Sequence, residues 1–534
     1  MGARSVNDST SWRLKKPIAI QTQGLVASHF AHLPASCILF LQLPADAGGT
    51  WLRNLRSAVP ISHADGSSAD SSAAAIAFTY SGLIELGLPD DALKSFARPF
   101  REGMHQIDRK KRLGDGDDPD VGTEIAGGAR WSANCADLVS TKVGSTIKTP
   151  VTVHVALILY ALDKTSLCAQ CHTARDLLKN EGIKVVHEQP LWQKPEKSSG
   201  MNREHFGFAD GMSQPVPTGD AIELPESPNM ATHLHWHGVP AGEILLGHQN
   251  AHNEYASGPI VAKSQVESPG LLSDEGVAPG NWNLGINGSY LVVRELRQDV
   301  AAFWKSMEAA AESLKRPGVN AEWLAERVIG RTLNGDTLVP GVPPMAQDST
   351  VGNSFGYANT DIHGLGCPLG AHVRRANPRD SRPSRDGAHS DTADSAELLR
   401  SANAHRILRR GRKYGTALND RFKDDQQERG LMFMCLVTDL ERQFEFVQEH
   451  WLLNPNFASL EGETDPLLGP PTRTPNQIPS LVPNRMTIPA CPLRLRPKMT
   501  SYIQLVGGDY FFLPSLPALD YFSTLKSLQQ GPQM

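Results

Sequence analysis

From about residue 18 onward, short apolar runs alternate with longer amphipathic stretches. Ser36 to Leu43 contains the run Cys37-Ile38-Leu39-Phe40-Leu41, too short to span a bilayer and bounded by polar residues, so it predicts a buried strand. Trp51 to Leu55 predicts the helix that follows, Ser62 to Ala74 a Ser/Ala/Asp-rich loop, and Ala75 to Tyr80 a second strand. Ser81 to Leu88 reads as a helix with Ser81 as N-cap, Val151 to Leu162 as a strand and Cys168 to Glu181 as a helix. The second half repeats the alternation. Ser289 to Arg294 predicts a strand, Asp299 to Lys315 a helix and Leu431 to Val437 a central strand. Leu440, Phe444, Val447 and Trp451 then fall on one face of a helix. Strands with helices between them, in two similar halves, predict an α+β sandwich.

The expected organisation is a loose arm over 1–17, a first domain over 18–220 and a second over 221–534. Charged, Ser/Asp-rich residues 377–404 read as a mobile surface insertion, and Asp465 to Pro483 as Pro-rich irregular chain. The chain has 534 residues, 40 % hydrophobic and 20 % charged, enough to bury sizeable cores. A net charge of -5 does not suggest a general nucleic-acid binder. No run of about 18 apolar residues predicts a membrane span. The polar stretch Met1 to Lys16 lacks the apolar core of a secretory signal. Seven cysteines in so long a chain are no disulfide framework, so a reducing, cytoplasmic setting is expected.

Four local patterns carry possible chemistry. Cys168-Ala169-Gln170-Cys171-His172 has the spacing of c-type haem attachment, but lies in an amphipathic helical stretch with no export signal ahead of it. His233, His235 and His237 would share one face of a strand and offer imidazoles to copper or zinc, yet no further His-x-His occurs. Gly207-Phe208-Ala209-Asp210-Gly211 places a carboxylate between glycines that permit a tight turn, as a general acid/base or as a turn that caps itself. In Gly366 to Arg379, His372 follows small residues and precedes a basic cluster, which suits an iron ligand with a nearby arginine for a haem propionate, or a satisfied core histidine.

Taken in order, these segments resemble the dye-decolorising (DyP-type) haem peroxidase family. The series includes Ala77 to Leu83, Phe100 to Met104, Gly207 to Gly211, Gly242 to Gly247, Cys367 to Arg375, His405 to Gly411, Arg429 to Phe433, Asp439 to Gln448 and Gly507 to Ser515. It runs from about residue 20 to the C-terminus.

The resemblance implies two ferredoxin-like domains with antiparallel sheets and peripheral helices, and one non-covalent haem b per chain. It implies oxidation of bulky organic substrates by hydrogen peroxide, with a small organic reductant as the other partner. Carried over by motif, Asp210 is the distal acid/base, Arg409 the distal arginine and His372 the proximal iron ligand. Arg375 is the candidate for a propionate, and Asp439 the candidate to accept the other ring N–H of His372, with Glu445 as fallback. Some relatives carry Asn or Ser two residues after the distal arginine, where this chain has Gly411. Rival readings are a haem carrier, a copper oxidase built on the 233–237 histidines, and a c-type cytochrome. Electrons from large substrates could also pass through surface Tyr or Trp side chains, although Tyr510 and Trp451 read as core.

Overall fold

The computed structural model describes residues 12–66, 71–115, 130–134, 141–143, 146–148, 150–193, 202–264, 270–273, 279–345, 349–381, 392–469, 485–490 and 492–526. The first half is laid out as β1 (Ala35–Gln42), α1 (Thr50–Ala58), β2 (Ser72–Phe78), β3 (Val155–Ala161), α2 (Lys164–Asn180) and β4 (Lys184–Trp192). These strands pair antiparallel in the order β4-β1-β3-β2, with Cys37 opposite both Leu159 and Pro190. The chain then forms α3 (Met230–His237), β5 (Ser289–Gln298), α4 (Val300–Leu314), α5 (Ala321–Ile329), α6 (His372–Ala376) and α7 (Thr392–Asn403). It ends with β6 (Leu408–Arg409), β7 (Arg412–Tyr414), β8 (Gly430–Val437), α8 (Glu441–Glu445 and Val447–Leu452), β9 (Ile503–Leu513) and α9 (Leu516–Phe522). The second sheet runs β9-β5-β8, and β6 and β7 line the far edge of β8.

Each half is therefore a β-α-β-β-α-β unit with its first strand in the middle, the ferredoxin-like order. The sheets join at both edges. Phe78 pairs with Phe512 at one seam and Trp192 with Lys413 at the other, so the strands close into one ring. Alternation along β1 explains the packing. Cys37, Leu39 and Leu41 pack with α1 and α2, while Ile38 and Phe40 share a core with Leu291, Val293, Met432, Met434 and Phe511 of the second sheet.

Several expectations change in detail. The helix expected from Ser81 is Tyr80–Glu85, capped by Thr79, whose hydroxyl accepts from Gly82 N at 3.1 Å. Arg13–Leu14, assigned to a loose arm, pairs with Ile222–Glu223. The stretch 377–404 is not a loose insertion at its ends: Arg379, Asp380 and Ser381 are buried and 392–403 is helical, while 382–391 lies outside the described residues. The 233–237 histidines lie on helix α3 rather than a strand. On a helix, residues four apart share a face, so the rings of His233 and His237 lie 4.6 Å apart, tilted by 42°, and His235 leaves the set. Among the described residues, no group of three His, Cys, Asp or Glu side chains is placed to hold a metal ion. No helix among them is long and apolar enough to cross a membrane.

Candidate functional site

The loop carrying Asp210 is fixed by its own sequence. Glu204 accepts from the backbone N–H groups of Phe206 at 2.8 Å and Phe208 at 2.9 Å, and from Gln298 Nε2 at 2.9 Å. Gly207 and Gly211 have φ of 101° and 92°, a region costly for any side chain. Asp210 N donates to Asn202 O at 2.9 Å, and the Asp210 carboxylate accepts from Gly211 N at 2.6 Å. Loss of hydration raises the Glu204 carboxyl to about 7, against the pull of the two backbone N–H groups, with the charge of Asp210 adding to the rise.

Arg409 comes to this loop from β6, opposite Cys435 on β8. Its Nη2 donates to Met212 O at 2.6 Å, and Gln214 brackets its backbone, accepting from Arg409 N at 3.1 Å and donating to Arg409 O at 3.4 Å. The structure thus brings Arg409 onto the turn of Asp210 across 199 residues of chain (409 less 210). At Gly411 an added Cβ would lie 2.7 Å from Met432 O, which explains why no polar side chain stands there.

His372 opens α6. Its Nδ1 lies 3.0 Å from Asp465 Oδ2, and among the described residues Nε2 has no hydrogen-bond partner. Asp465 has 0 % side-chain exposure, whereas the imidazole keeps 26 %. The other oxygen of Asp465 accepts from Leu467 N at 2.9 Å and Leu468 N at 2.8 Å, so the carboxylate cannot swing away. Burial alone would lower the imidazole pKa, but Asp465 outweighs it and the net shift is upward. The charges of Arg409 and Glu204 also reach this ring, which places the distal and proximal candidates in one electrostatic neighbourhood.

Two assignments are corrected here. Asp439 does not touch His372. Its carboxylate caps the start of α8, accepting from Arg442 N at 3.0 Å. The fallback, Glu445, is held by Arg109 at 2.7 Å and by the Tyr510 hydroxyl at 2.7 Å. Asp465 takes the role instead. It stands 93 residues beyond His372 in a segment read only as Pro-rich and irregular, where no local signal marks a partner for the ring.

Arg375 is likewise committed elsewhere. It is fully buried and donates to Trp451 O at 2.8 Å, Asn454 O at 3.1 Å and Glu463 O at 2.6 Å, locking α6 to the end of α8. Its two terminal guanidinium nitrogens are occupied by main-chain carbonyls.

A different set of cations lies against the Asp210 turn. Arg331, Arg379, Arg406 and Arg409 act on one another through space, and none has an ion-pair partner among the described residues. Burial, then mutual repulsion, pulls Arg406 down to about 9. Burial likewise brings Arg379 to about 10. Arg379 Nη2 reaches Ser213 Oγ at 3.3 Å and Arg406 Nη2 reaches Ser213 O at 2.7 Å, so the cluster lies against the Asp210 turn. Buried cations without counter-charge are costly unless an anion completes them. An open imidazole nitrogen beside such a cluster fits a haem, which offers one metal and two carboxylates.

The c-type signature fails on geometry. Cys168 is exposed and Cys171 buried in the α2 packing, and His172 pairs with Asp176 at 2.9 Å. Tyr510 and Trp451 are buried, as core residues.

No family model matches the chain. Dye-decolorizing peroxidase msp1 of Mycetinis scorodonius is 27 % identical over 467 residues, covering 83 % of this chain and 75 % of that protein. Multifunctional dye peroxidase DyP2 of Amycolatopsis sp. is 27 % identical over 333 residues, with 60 % and 61 % covered. Dye-decolorizing peroxidase AauDyP1 of Auricularia auricula-judae is 28 % identical over 391 residues, with 69 % and 65 % covered. This chain thus spans 61 to 75 % of the length of these relatives.

Among solved structures, a DyP-type peroxidase of Anabaena sp. superposes with a TM-score of 0.67 at 21 % identity over 95 % of both chains. A dye-decolorizing peroxidase in complex with 2,6-dimethoxyphenol gives 0.66 at 23 % identity, over 95 % of this chain and 99 % of that one. The fold is therefore a double ferredoxin-like α+β architecture shared across nearly the whole chain. The chain is thus similar in sequence to dye-decolorizing peroxidases and shares their fold.

Proposed function

We propose that this protein is a haem-dependent peroxidase that uses hydrogen peroxide to oxidise bulky organic substrates, such as dyes or phenolics, by one-electron steps. The observation that carries this reading is the pairing of two half-sites. One is an imidazole fixed by a buried carboxylate and open at Nε2, and the other is a carboxylate turn bound to an arginine. A haem carrier needs the first of these and has no use for the second.

In this reading one haem b binds without covalent attachment, held by His372 Nε2 and by the cationic cluster of Arg331, Arg379 and Arg406. When bound, its iron supplies the redox centre that accepts electrons from the organic substrate. Asp210 takes a proton from one oxygen of hydrogen peroxide and returns it to the other, which leaves as water. Arg409 offers its positive charge to the oxygen that becomes negative as the O–O bond breaks. Asp465 holds His372 in one tautomer and makes the ring a stronger donor.

Stopped-flow absorption of the haem-loaded protein mixed with hydrogen peroxide tests this directly. Asp210→Asn should retain haem and slow the peroxide-driven spectral change by about 10²–10⁴-fold. An unchanged rate in that variant would remove Asp210 from the role. A haem spectrum that ignores peroxide in the wild type would point to carriage instead.

A further inference from the structure

Two buried thiols lie together outside the haem site. Cys37 is in the middle of β1 and Cys171 is on the inner face of α2, and they are 2 % and 4 % exposed. They belong to one packed cluster, and each thiol is the strongest influence on the other's ionisation. Neither is disulfide-bonded. Most buried cysteines simply fill space. This pair differs in what covers it. Cys37 Sγ is 3.6 Å from Glu188 Oε1. Glu188 on β4 is gripped by Arg175 Nη2 at 2.5 and 2.6 Å, and Arg175 stands one helical turn beyond Cys171. The side chains of Arg175 and Glu188 are 41 % and 34 % exposed, so the ion pair against Cys37 is itself partly open to water.

We propose that Cys37 and Cys171 form a peroxide-oxidisable dithiol, a modification site that closes to a disulfide and ties α2 to the central strand of the first sheet.

The two thiols are not equivalent. Neighbouring Cys37 and, less strongly, the positive charge of Arg175 favour ionisation of Cys171, whereas neighbouring Cys171, burial and the Glu188 carboxylate 3.6 Å away oppose that of Cys37. Cys171 is therefore the attacking thiolate. Its sulfur attacks hydrogen peroxide, an S–O bond forms and the O–O bond breaks, and the departing hydroxide takes the Cys37 proton as water. The Cys37 thiolate then attacks the oxidised Cys171 sulfur. An S–S bond forms, the S–O bond breaks, and the second hydroxide becomes water with the proton Cys171 gave up on ionising. Two thiols are oxidised by two electrons and one peroxide is reduced to two waters. Hydrogen peroxide is small and uncharged, so a brief parting of Arg175 from Glu188 admits it. The reaction makes no use of His372, Asp210 or Arg409, and stands or falls separately from the haem chemistry.

The test uses the full-length, haem-loaded protein, reduced, desalted and titrated with hydrogen peroxide before free thiols are alkylated. Tryptic peptides then discriminate the outcomes, because Cys168 and Cys171 share one peptide and Cys37 lies on another. The expected product is a cross-linked pair of peptides, two hydrogens lighter than their sum, that separates with dithiothreitol. Cys37→Ser should arrest the reaction at a Cys171 sulfenic acid trapped by dimedone, and Cys168→Ser should leave the cross-link unchanged. A loop within the Cys168/Cys171 peptide, or full alkylation of both thiols after excess peroxide, would overturn the proposal. The wild-type cross-link needs no variant to fold.

Discussion

Asp465 and Glu204 show opposite ways of treating a carboxylate. Asp465 is buried against an imidazole and two backbone N–H groups, and its pKa is lowered despite burial. Asp465→Asn keeps the shape and removes the charge. It should weaken haem affinity or peroxide turnover by about 10–100-fold, the usual effect of losing a ligand's hydrogen-bond partner. A shifted ferric absorption spectrum in the same variant would separate this role from simple misfolding. Glu204 has two N–H donors but no cation, and its carboxyl rises from 4.5 to about 7. A raised carboxyl holds its proton in the folded state after the unfolded chain has lost it. Its contribution to stability is complete below pH 4.5 and is lost as pH rises through 7. Thermal unfolding should therefore show the wild type losing stability relative to Glu204→Gln between those two pH values. A difference that is the same at every pH would refute this assignment.

Elements explain why the same residues meet. Strand β6 is only two residues long, yet its pairing with β8 sets Arg409 over the Asp210 turn. Helix α6 is five residues long and is pinned by Arg375 to the carbonyls that end α8. That helix is wound with π-type bonds, such as Glu445 N to Leu440 O at 2.9 Å, a feature frequent near functional sites. Between α5 and α6, Gly330 has a φ of 101°, and a Cβ there would lie 2.5 Å from Val373 Cγ2. The arginine cluster gathered by these elements predicts an asymmetry. Arg406→Met removes an uncompensated buried charge, so the haem-free protein should lose little stability, within about 1 kcal/mol. Haem titration of the same variant should show affinity weakened about tenfold or more, the effect of losing 1.4 kcal/mol of attraction. Unchanged haem affinity would place the propionates elsewhere.

For the molecule as a whole, the ring of strands matters more than either half. Ile38, Phe40 and Ile158 from the first sheet share a core with Leu291, Met432 and Phe511 from the second. Each half alone would expose that face to water, at about 25 cal/mol for every Å² of apolar surface. Unfolding in denaturant should accordingly be a single transition, with far-UV circular dichroism and tryptophan fluorescence coincident. Two separated midpoints would mean that the halves hold themselves together independently. Haem added in excess should raise the midpoint, because it binds the folded state.

The sequence alone determined the strands and helices whose apolar periodicity is local, from the β1 run at Cys37 to Leu41 to the apolar face of α8. It also carried the turn of Asp210, since Gly207 and Gly211 announce their backbone requirement in place. The ordered motifs pointed to His372 and Arg409 through resemblance. Only the tertiary structure decided which acid serves His372. Asp439 is the acid the sequence offers and Asp465 only opens an irregular stretch, yet Asp465 is the one buried beside the ring because the chain after α8 folds back over α6. It also decided that Arg375 binds carbonyls while Arg379 and Arg406 face an unmatched cationic space, and that three histidines in a row lie on a helix. The physical reason is the same in each case. Backbone preference is set by neighbours in sequence, whereas the partner of a buried charge is set by whatever the fold brings within about 3 Å of it.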